Sequence, residues 1–175
     1  MSRIYNWRNF WILWGGGLVF LVVLGVFSAP LITHASLSPI TDHQKAGSAE
    51  SINIIQQVWR DLGLYNYAIK WFTAELIFIG IYMSGGIIGG RLIWQNARST
   101  ALKKLGLVCV ILFGIFGITD YVETICQYIQ LVSFNGSNFL AGIAAFISGP
   151  KIVAFFAAGA SMIIALVWRL IERRT

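Results

Sequence analysis

The chain has 175 residues, of which 57% are hydrophobic and only 11% are charged. A chain of this length cannot bury so much apolar surface in a water-soluble core, so the composition excludes an ordinary soluble domain. The formal net charge of +6 does not indicate nucleic-acid binding, because the basic residues gather at the ends of apolar segments.

Four apolar segments are long enough to cross a bilayer, each close to the roughly 20 residues that the hydrocarbon core requires. None shows the alternation of a barrel strand. The predicted fold class is an all-α membrane protein, a four-transmembrane-helix bundle forming a single membrane domain over residues 1–175. The spans are predicted at about residues 10–29, 71–94, 105–129 and 150–171.

The first segment has a competing interpretation as a secretory signal peptide, because Arg3 and Arg8 precede it and small residues follow it. Its apolar run is longer than the usual signal core of about 7–15 residues. Pro30 would directly follow the cleavage position, which disfavours cutting there. The segment is therefore predicted to be a retained helix.

The flanking charges predict an N-in, C-in orientation in the cytoplasmic (inner) membrane. With the N-terminus inside, the inner side holds nine Lys and Arg residues against one acid, Glu172, and the outer side holds four against six acids. The positive-inside rule then places both termini in the cytoplasm. We expect the basic face to contact anionic lipids there, and we predict no nucleic-acid partner.

The outer loop, about residues 32–69, contains an amphipathic helix predicted at 49–62. Gln56 and other polar residues are assigned to its remaining faces. The helix is expected to lie on the bilayer or to cap the bundle, and the alternative is a partner-docking helix. Its apolar face comprises Ile52, Ile55, Trp59 and Leu62.

The fourth span is predicted to begin at Pro150, with Ser148 as its N-cap. Residues 139–147 would then form a separate short apolar element in the outer leaflet. Lys151 would open the helix at its N-terminus, where a cation opposes the macrodipole. We therefore expect an acidic partner for Lys151, and Asp120 and Glu123 are the available ones.

Acidic residues inside the spans mark the predicted polar site. On the third helix, Asp120, Glu123 and Gln127 share one stripe together with Thr124. On the second helix, Glu75 shares a face with Tyr82. By helical rise, the three carboxylates and Lys151 all fall in the outer leaflet. Paired acids at such depth indicate a functional site. The alternative is a structural lock, in which the acids and Lys151 only hold the helices together.

Glycines on the second helix predict close helix packing. They form two pairs with small-xxx-small spacing, which lets helix backbones approach closely in membranes. We expect these glycines to face another helix of the same chain or of an oligomer. The pairs are Gly85 with Gly89 and Gly86 with Gly90.

The sequence resembles a broad group of uncharacterised bacterial four-helix integral membrane proteins. The residues carrying this resemblance are Glu75, Phe78 and Tyr82 in "ELIFIGIY", Asp120 and Glu123 in "DYVE", and Lys151 in "PKIV". Members often have Asp at the position of Glu75 and Asn at that of Thr124. The resemblance implies four helices and a polar site, and it implies no activity.

No metal site and no cofactor are predicted. Both histidines, His34 and His43, lie in the outer loop, so a membrane haem with two histidine ligands is not expected. His43 beside Asp42 is interpreted as a solvated pair. Phosphate-binding, zinc-protease and serine-hydrolase motifs are absent. Cys109 and Cys126 are too far apart on one helix to pair with each other.

Three classes of function remain open. The first is a small carrier or binder of protons, cations or a small amphipathic ligand. A carrier of this size would favour a homo-oligomer. The second class is an accessory subunit that binds a membrane partner. The third is an outer-leaflet enzyme with Asp120 or Glu123 as general acid or base, which the missing nucleophile constellation disfavours.

Overall fold

The computed structural model describes residues 4–174, and within that range the chain is helical, with no strand beyond one isolated bridge between Thr33 and Ser36. Helix α1 consists of Trp7–Phe10, a π-helical stretch Trp11–Gly15, and Gly16–Phe27. The other helices are α2 (Pro39–Lys45), α3 (Ala49–Asp61), α4 (Tyr65–Asn96), α5 (Thr100–Ser133) and α6 (Asn138–Arg174).

Four of these helices are long and apolar enough to cross a membrane. They are α1 with the turn that follows it, α4, α5 and α6. The prediction of a helical protein with four helices able to cross a membrane is confirmed, as far as length and composition show it. The helices are longer than predicted, since α4, α5 and α6 have 32, 34 and 37 residues.

The predicted start of the fourth span at Pro150 is wrong. Helix α6 begins after Ser137, whose Oγ accepts a hydrogen bond from the Leu140 amide at 3.4 Å, and it continues with Pro150 inside it. Ser148 is buried and caps nothing. An interior proline breaks helices in water, but membrane helices tolerate it because neighbouring groups satisfy the freed backbone.

This correction also changes the interpretation of Lys151. Since α6 begins at Asn138, Lys151 lies several turns inside the helix, whereas the macrodipole acts within the first turn. The electrostatic argument that Lys151 opens a helix is therefore wrong. Lys151 is nevertheless buried, with 8% of its surface exposed.

The described chain forms two compact units. The terminal unit contains residues 4–19, 80–118 and 151–174, and the loop unit contains residues 20–79 and 119–150. Each unit draws on all four long helices. The loop unit also contains α2 and α3.

In the terminal unit, the glycine stripe of α4 packs against α1 and α5. A Cβ placed on Gly85 would lie within 3.0 Å of the Trp14 backbone, and one on Gly90 within 3.0 Å of the Gly106 carbonyl. On the same stripe, a Cβ on Gly86 would meet the ring of Phe113. Small residues here let the helix backbones approach closely.

The ends of the terminal unit are joined by polar and cation–π contacts. The Arg169 guanidinium lies 3.6 Å from the centroid of the Trp7 ring. The Glu172 carboxylate accepts hydrogen bonds from the Arg98 and Ser99 amides at 3.0 and 3.1 Å. These two amides lie directly before α5, where no helical carbonyl is available to them, so the Glu172 carboxylate accepts their hydrogen bonds instead.

In the loop unit, α3 is present and its apolar face is buried. Trp59 is fully buried, and its indole N–H donates to the Leu31 carbonyl at 3.1 Å. The assignment of Gln56 to a face other than the apolar one is wrong, because Gln56 is buried with Ile52, Ile55 and Trp59. Leu62 follows the end of the helix and is exposed.

Helix α2 was not predicted from the sequence. The Asp42 carboxylate accepts from the Ser36 hydroxyl at 2.9 Å and from the Ser38 amide at 3.0 Å, and it thereby fixes the first turn. Pro39 occupies the first helical position, where its missing N–H costs nothing. The α2 helix positions His43.

Candidate functional site

The polar stripe of α5 is buried in the loop unit. Glu123, Thr124 and Gln127 have no exposed surface, and Asp120 is 3% exposed. These positions follow the helical repeat, so one face of α5 carries all four side chains. Burying such groups is costly unless they are paired, hydrogen-bonded or protonated.

Glu75 on α4 belongs to the same unit and is also buried, with 7% of its surface exposed. The α4 and α5 segments of the loop unit run antiparallel, because the Tyr65 hydroxyl donates to the Leu131 carbonyl and Thr73 Oγ1 lies 3.4 Å from the Tyr128 hydroxyl. This register places Glu75 at the level of Glu123 along the helix pair.

His43 is buried within the loop unit, at 1% exposure, so its interpretation as a solvated partner of Asp42 is wrong. Its Nε2 lies 3.3 Å from the Gln56 side-chain nitrogen. Its ring stacks on Trp59 with centroids 5.5 Å apart and contacts Phe72 at 5.4 Å. Gln127 lies close enough to the ring to influence its pKa, but neither polar atom of the Gln127 side chain makes a hydrogen bond within the described chain.

Burial keeps the His43 imidazole neutral. Desolvation lowers the pKa of His43 from 6.5 to about 4, and the contact with Gln127 opposes this change only in part. In the neutral imidazole one ring nitrogen donates and the other accepts, and Nε2 is the nitrogen that contacts the Gln56 amide. At neutral pH, His43 therefore supplies one donor and one acceptor and no charge.

His43 lies one helical turn from the level of two carboxylates. Phe72, which contacts the ring, precedes Glu75 by three residues on α4, and Gln127 follows Glu123 by four residues on α5. One turn of either helix corresponds to about 5 Å. We call Glu75, Asp120, Glu123, Thr124 and Gln127, together with His43 and Gln56, the polar core of the loop unit.

Two further candidates, Tyr82 and Lys151, lie in the terminal unit. Tyr82 is buried among aromatic rings, with the centroids of Phe113 and Phe155 at 5.3 and 5.6 Å. The pairing of Lys151 with Asp120 and Glu123 stays a prediction. Cys109 and Cys126 are both free and buried.

The polar core combines buried carboxyl groups with neutral hydrogen-bonding side chains. Across residues 4–174, no group of three or more His, Cys, Asp or Glu side chains is arranged to hold a metal ion. In the same range, the fully or nearly buried charged groups are three carboxylates and one lysine, beside the neutral His43.

An open cleft adjoins the polar core on the surface of the loop unit. It has a volume of about 540 Å³ and lies between α3 and the turn after α5. In that turn, Phe134 adopts a positive φ of 49°, and the Arg60 guanidinium lies 4.5 Å from the centroid of its ring. The cleft is lined by Asn53, Ile54, Gln56, Gln57, Val58, Phe134 and Asn135.

Sequence reasoning missed His43 and Gln56 as parts of the site. A signal for Gln56 was present, since it falls four residues after Ile52 and one after Ile55, on the face that also carries Trp59. A polar residue within an apolar face indicates a buried partner. No comparable pattern marked His43, because α2 is too short to show a period.

Comparisons of this chain with protein-family models, with curated proteins and with solved structures find no match. The resemblance to bacterial four-helix membrane proteins therefore stays a prediction.

Proposed function

We propose that this chain is a multi-pass protein of the cytoplasmic membrane that takes up and releases protons at the carboxylates of the polar core. Glu123 is the central group, because it has no exposed surface and lies level with Glu75 on the neighbouring helix. Thr124 and Gln127 provide hydrogen-bonding side chains on the same face of α5. A carrier of cations or of a small amphipathic ligand is the wider class.

The observation that carries this proposal is the balance of buried charge. Among residues 4–174, the buried carboxyl groups are Glu75, Asp120 and Glu123, and the buried ammonium is that of Lys151. If all four groups were ionised they would carry a net negative charge, and burying net charge in a membrane protein costs several kcal/mol. At least one carboxyl group therefore holds a proton or a cation.

The experiment is proton flux into phospholipid vesicles that contain the purified protein and a pH-sensitive dye. Under an imposed pH gradient, the parent is expected to carry protons faster than protein-free vesicles do. Glu123→Gln should reduce the flux to the protein-free level. Glu50→Gln, which changes an exposed acid of the same unit, should keep the parent rate.

A parent that carries no more protons than empty vesicles contradicts the proposal. A structural lock then becomes the better account, and the protein would fit an accessory subunit. In that case, Lys151→Met alone should destabilise the protein. The combination Asp120→Asn/Glu123→Gln/Lys151→Met should recover much of the loss, because neutral replacement of a buried ion pair is often tolerated.

The proposed orientation is N-in and C-in, with the loop unit facing outward. It rests on the excess of Lys and Arg at the inner ends of the spans. Leu37→Cys and Gln95→Cys test it at exposed, uncharged positions. In intact cells, an impermeant thiol reagent should label Leu37→Cys, and labelling of Gln95→Cys instead would reverse the orientation.

A further inference from the structure

The cleft of the loop unit ends on a buried amide. Gln56 lines the cleft although only 1% of its surface is exposed. Its Oε1 atom is buried and accepts no hydrogen bond from any residue of the described chain. An unsatisfied buried acceptor costs about 1–3 kcal/mol, so its position beside an open cleft indicates a place where water or another donor binds.

Polar side chains lead inward from this amide. Gln56 lies 3.3 Å from His43, and Gln127, whose amide makes no hydrogen bond within the described chain, lies near the same ring. Glu123 lies one turn farther along the same face of α5. The rings of Trp59 and Phe72 both contact the imidazole, so His43 is a polar group held against two aromatic side chains.

We propose that the cleft between α3 and the Phe134–Asn135 turn is the entrance through which water and protons reach the polar core, and that the His43 ring closes its inner end. This inference rests on the proposed function and assigns the entrance and the closing residue of the same site.

The side chains around His43 explain why its removal should admit water. A water molecule occupies a buried site when the site has room and two or more polar partners. Without the imidazole, the amides of Gln56 and Gln127 would both border the space. An apolar void would stay dry, but a void lined by two amides is expected to fill and to connect the cleft with Thr124 and Glu123.

The test uses a thiol placed beyond His43. Thr124→Cys, in a Cys126→Ala background, is treated with methanethiosulfonate ethylammonium at pH 7.5 in detergent micelles, and modification is followed by peptide mass spectrometry. Thr124 has no exposed surface, so the parent site should react slowly. Adding His43→Ala should accelerate the reaction by about tenfold or more, which corresponds to a loss of about 1.4 kcal/mol of protection.

Native Cys109 is the internal control, because it is fully buried and belongs to the terminal unit. Its reaction rate should be unchanged by His43→Ala. The milder variant His43→Gln, which retains a hydrogen-bonding group, should give a smaller acceleration at Thr124→Cys, and it takes the place of His43→Ala if that protein does not fold.

The cleft itself is tested by blocking it. Ile54 is an exposed residue of its lining, and Ile54→Trp added to His43→Ala should slow the reaction of Thr124→Cys to near the parent rate. Leu37→Trp, at an exposed position outside the lining, should not slow it.

Three results would overturn the inference. They are an unchanged rate at Thr124→Cys in both His43 variants, equal acceleration at Cys109, and no slowing by Ile54→Trp. Because thiol labelling reports access and vesicle flux reports proton movement, the entrance and the proposed function can fail separately.

Discussion

Acidification from pH 6.5 to 4 is expected to remove about 3 kcal/mol of stability that depends on His43. The pKa of His43 is about 4 in the fold and 6.5 in its ordinary state, because burial disfavours the imidazolium. The contribution is therefore fully present above pH 6.5 and is lost as the pH falls toward 4. A tenfold difference in proton affinity between the folded and unfolded states corresponds to about 1.4 kcal/mol.

The measurement is the free energy of unfolding of the detergent-solubilised protein between pH 4 and 7.5. His43→Leu should lose the part of the pH dependence that lies between 6.5 and 4, because no imidazole remains to be protonated. His34→Leu is the matched control, since His34 is exposed in the same unit. If His43→Leu and the parent lose stability in parallel, His43 does not titrate as its burial requires.

Gly86→Leu is expected to destabilise the protein by about 1–3 kcal/mol through overpacking. A Cβ at this position would overlap the ring of Phe113, which is fully buried and therefore has little room to move. The three further carbons of leucine enlarge the overlap, so we expect a value near the top of that range. The effect is measured as a lower melting temperature in thermal unfolding of the detergent-solubilised protein.

Gly114→Leu is the control for this substitution. Gly114 lies in α5, in the same unit as Gly86, and a Cβ there meets no atom within 4 Å. Its substitution should leave the melting temperature close to that of the parent. Equal melting of parent, Gly86→Leu and Gly114→Leu would show that the α4 stripe does not pack as described.

The buried face of α5 could be predicted from the sequence because helical periodicity determines it. Taking Asp120 as the reference, a rotation of 100° per residue places Phe113, Glu123, Thr124 and Gln127 on one side, and all of them are buried. The four spans were predictable for a related reason, since their apolar composition and length follow directly from bilayer thickness.

The start of α6 could not be predicted in the same way. Ser148 and Pro150 form a strong helix-start signal in water, where an interior proline leaves a carbonyl unpaired. Ser137 offers the same cap chemistry earlier in the chain, and the structure uses it. The local sequence does not distinguish a start at Ser137 from a start at Ser148. The difference depends on how neighbouring groups satisfy the backbone around Pro150.

The burial of His43 could not be predicted from the sequence for another reason. Its burial results from contacts with Gln56, Trp59, Phe72 and Gln127, which lie on three other helices. A seven-residue helix shows no period from which a buried face can be read. An adjacent Asp42 made a solvated pair the simpler interpretation, although that carboxylate fixes the turn at the start of α2.

The hydrogen bonds that close the loop unit impose an order on its biosynthesis. Asn138 Oδ1 accepts from the Ala49 amide at 2.8 Å, and Asn53 Oδ1 accepts from the Gly136 amide at 2.7 Å, across separations of 89 and 83 residues. Chains emerge from the ribosome N-terminus first. Helix α3 must therefore wait until α4 and α5 have been synthesised and inserted. During that interval α3 has only the partners that precede it, such as the Leu31 carbonyl and the His43 ring that contact Trp59. The translocation machinery, a chaperone or the lipid surface has to shield the rest of its apolar face.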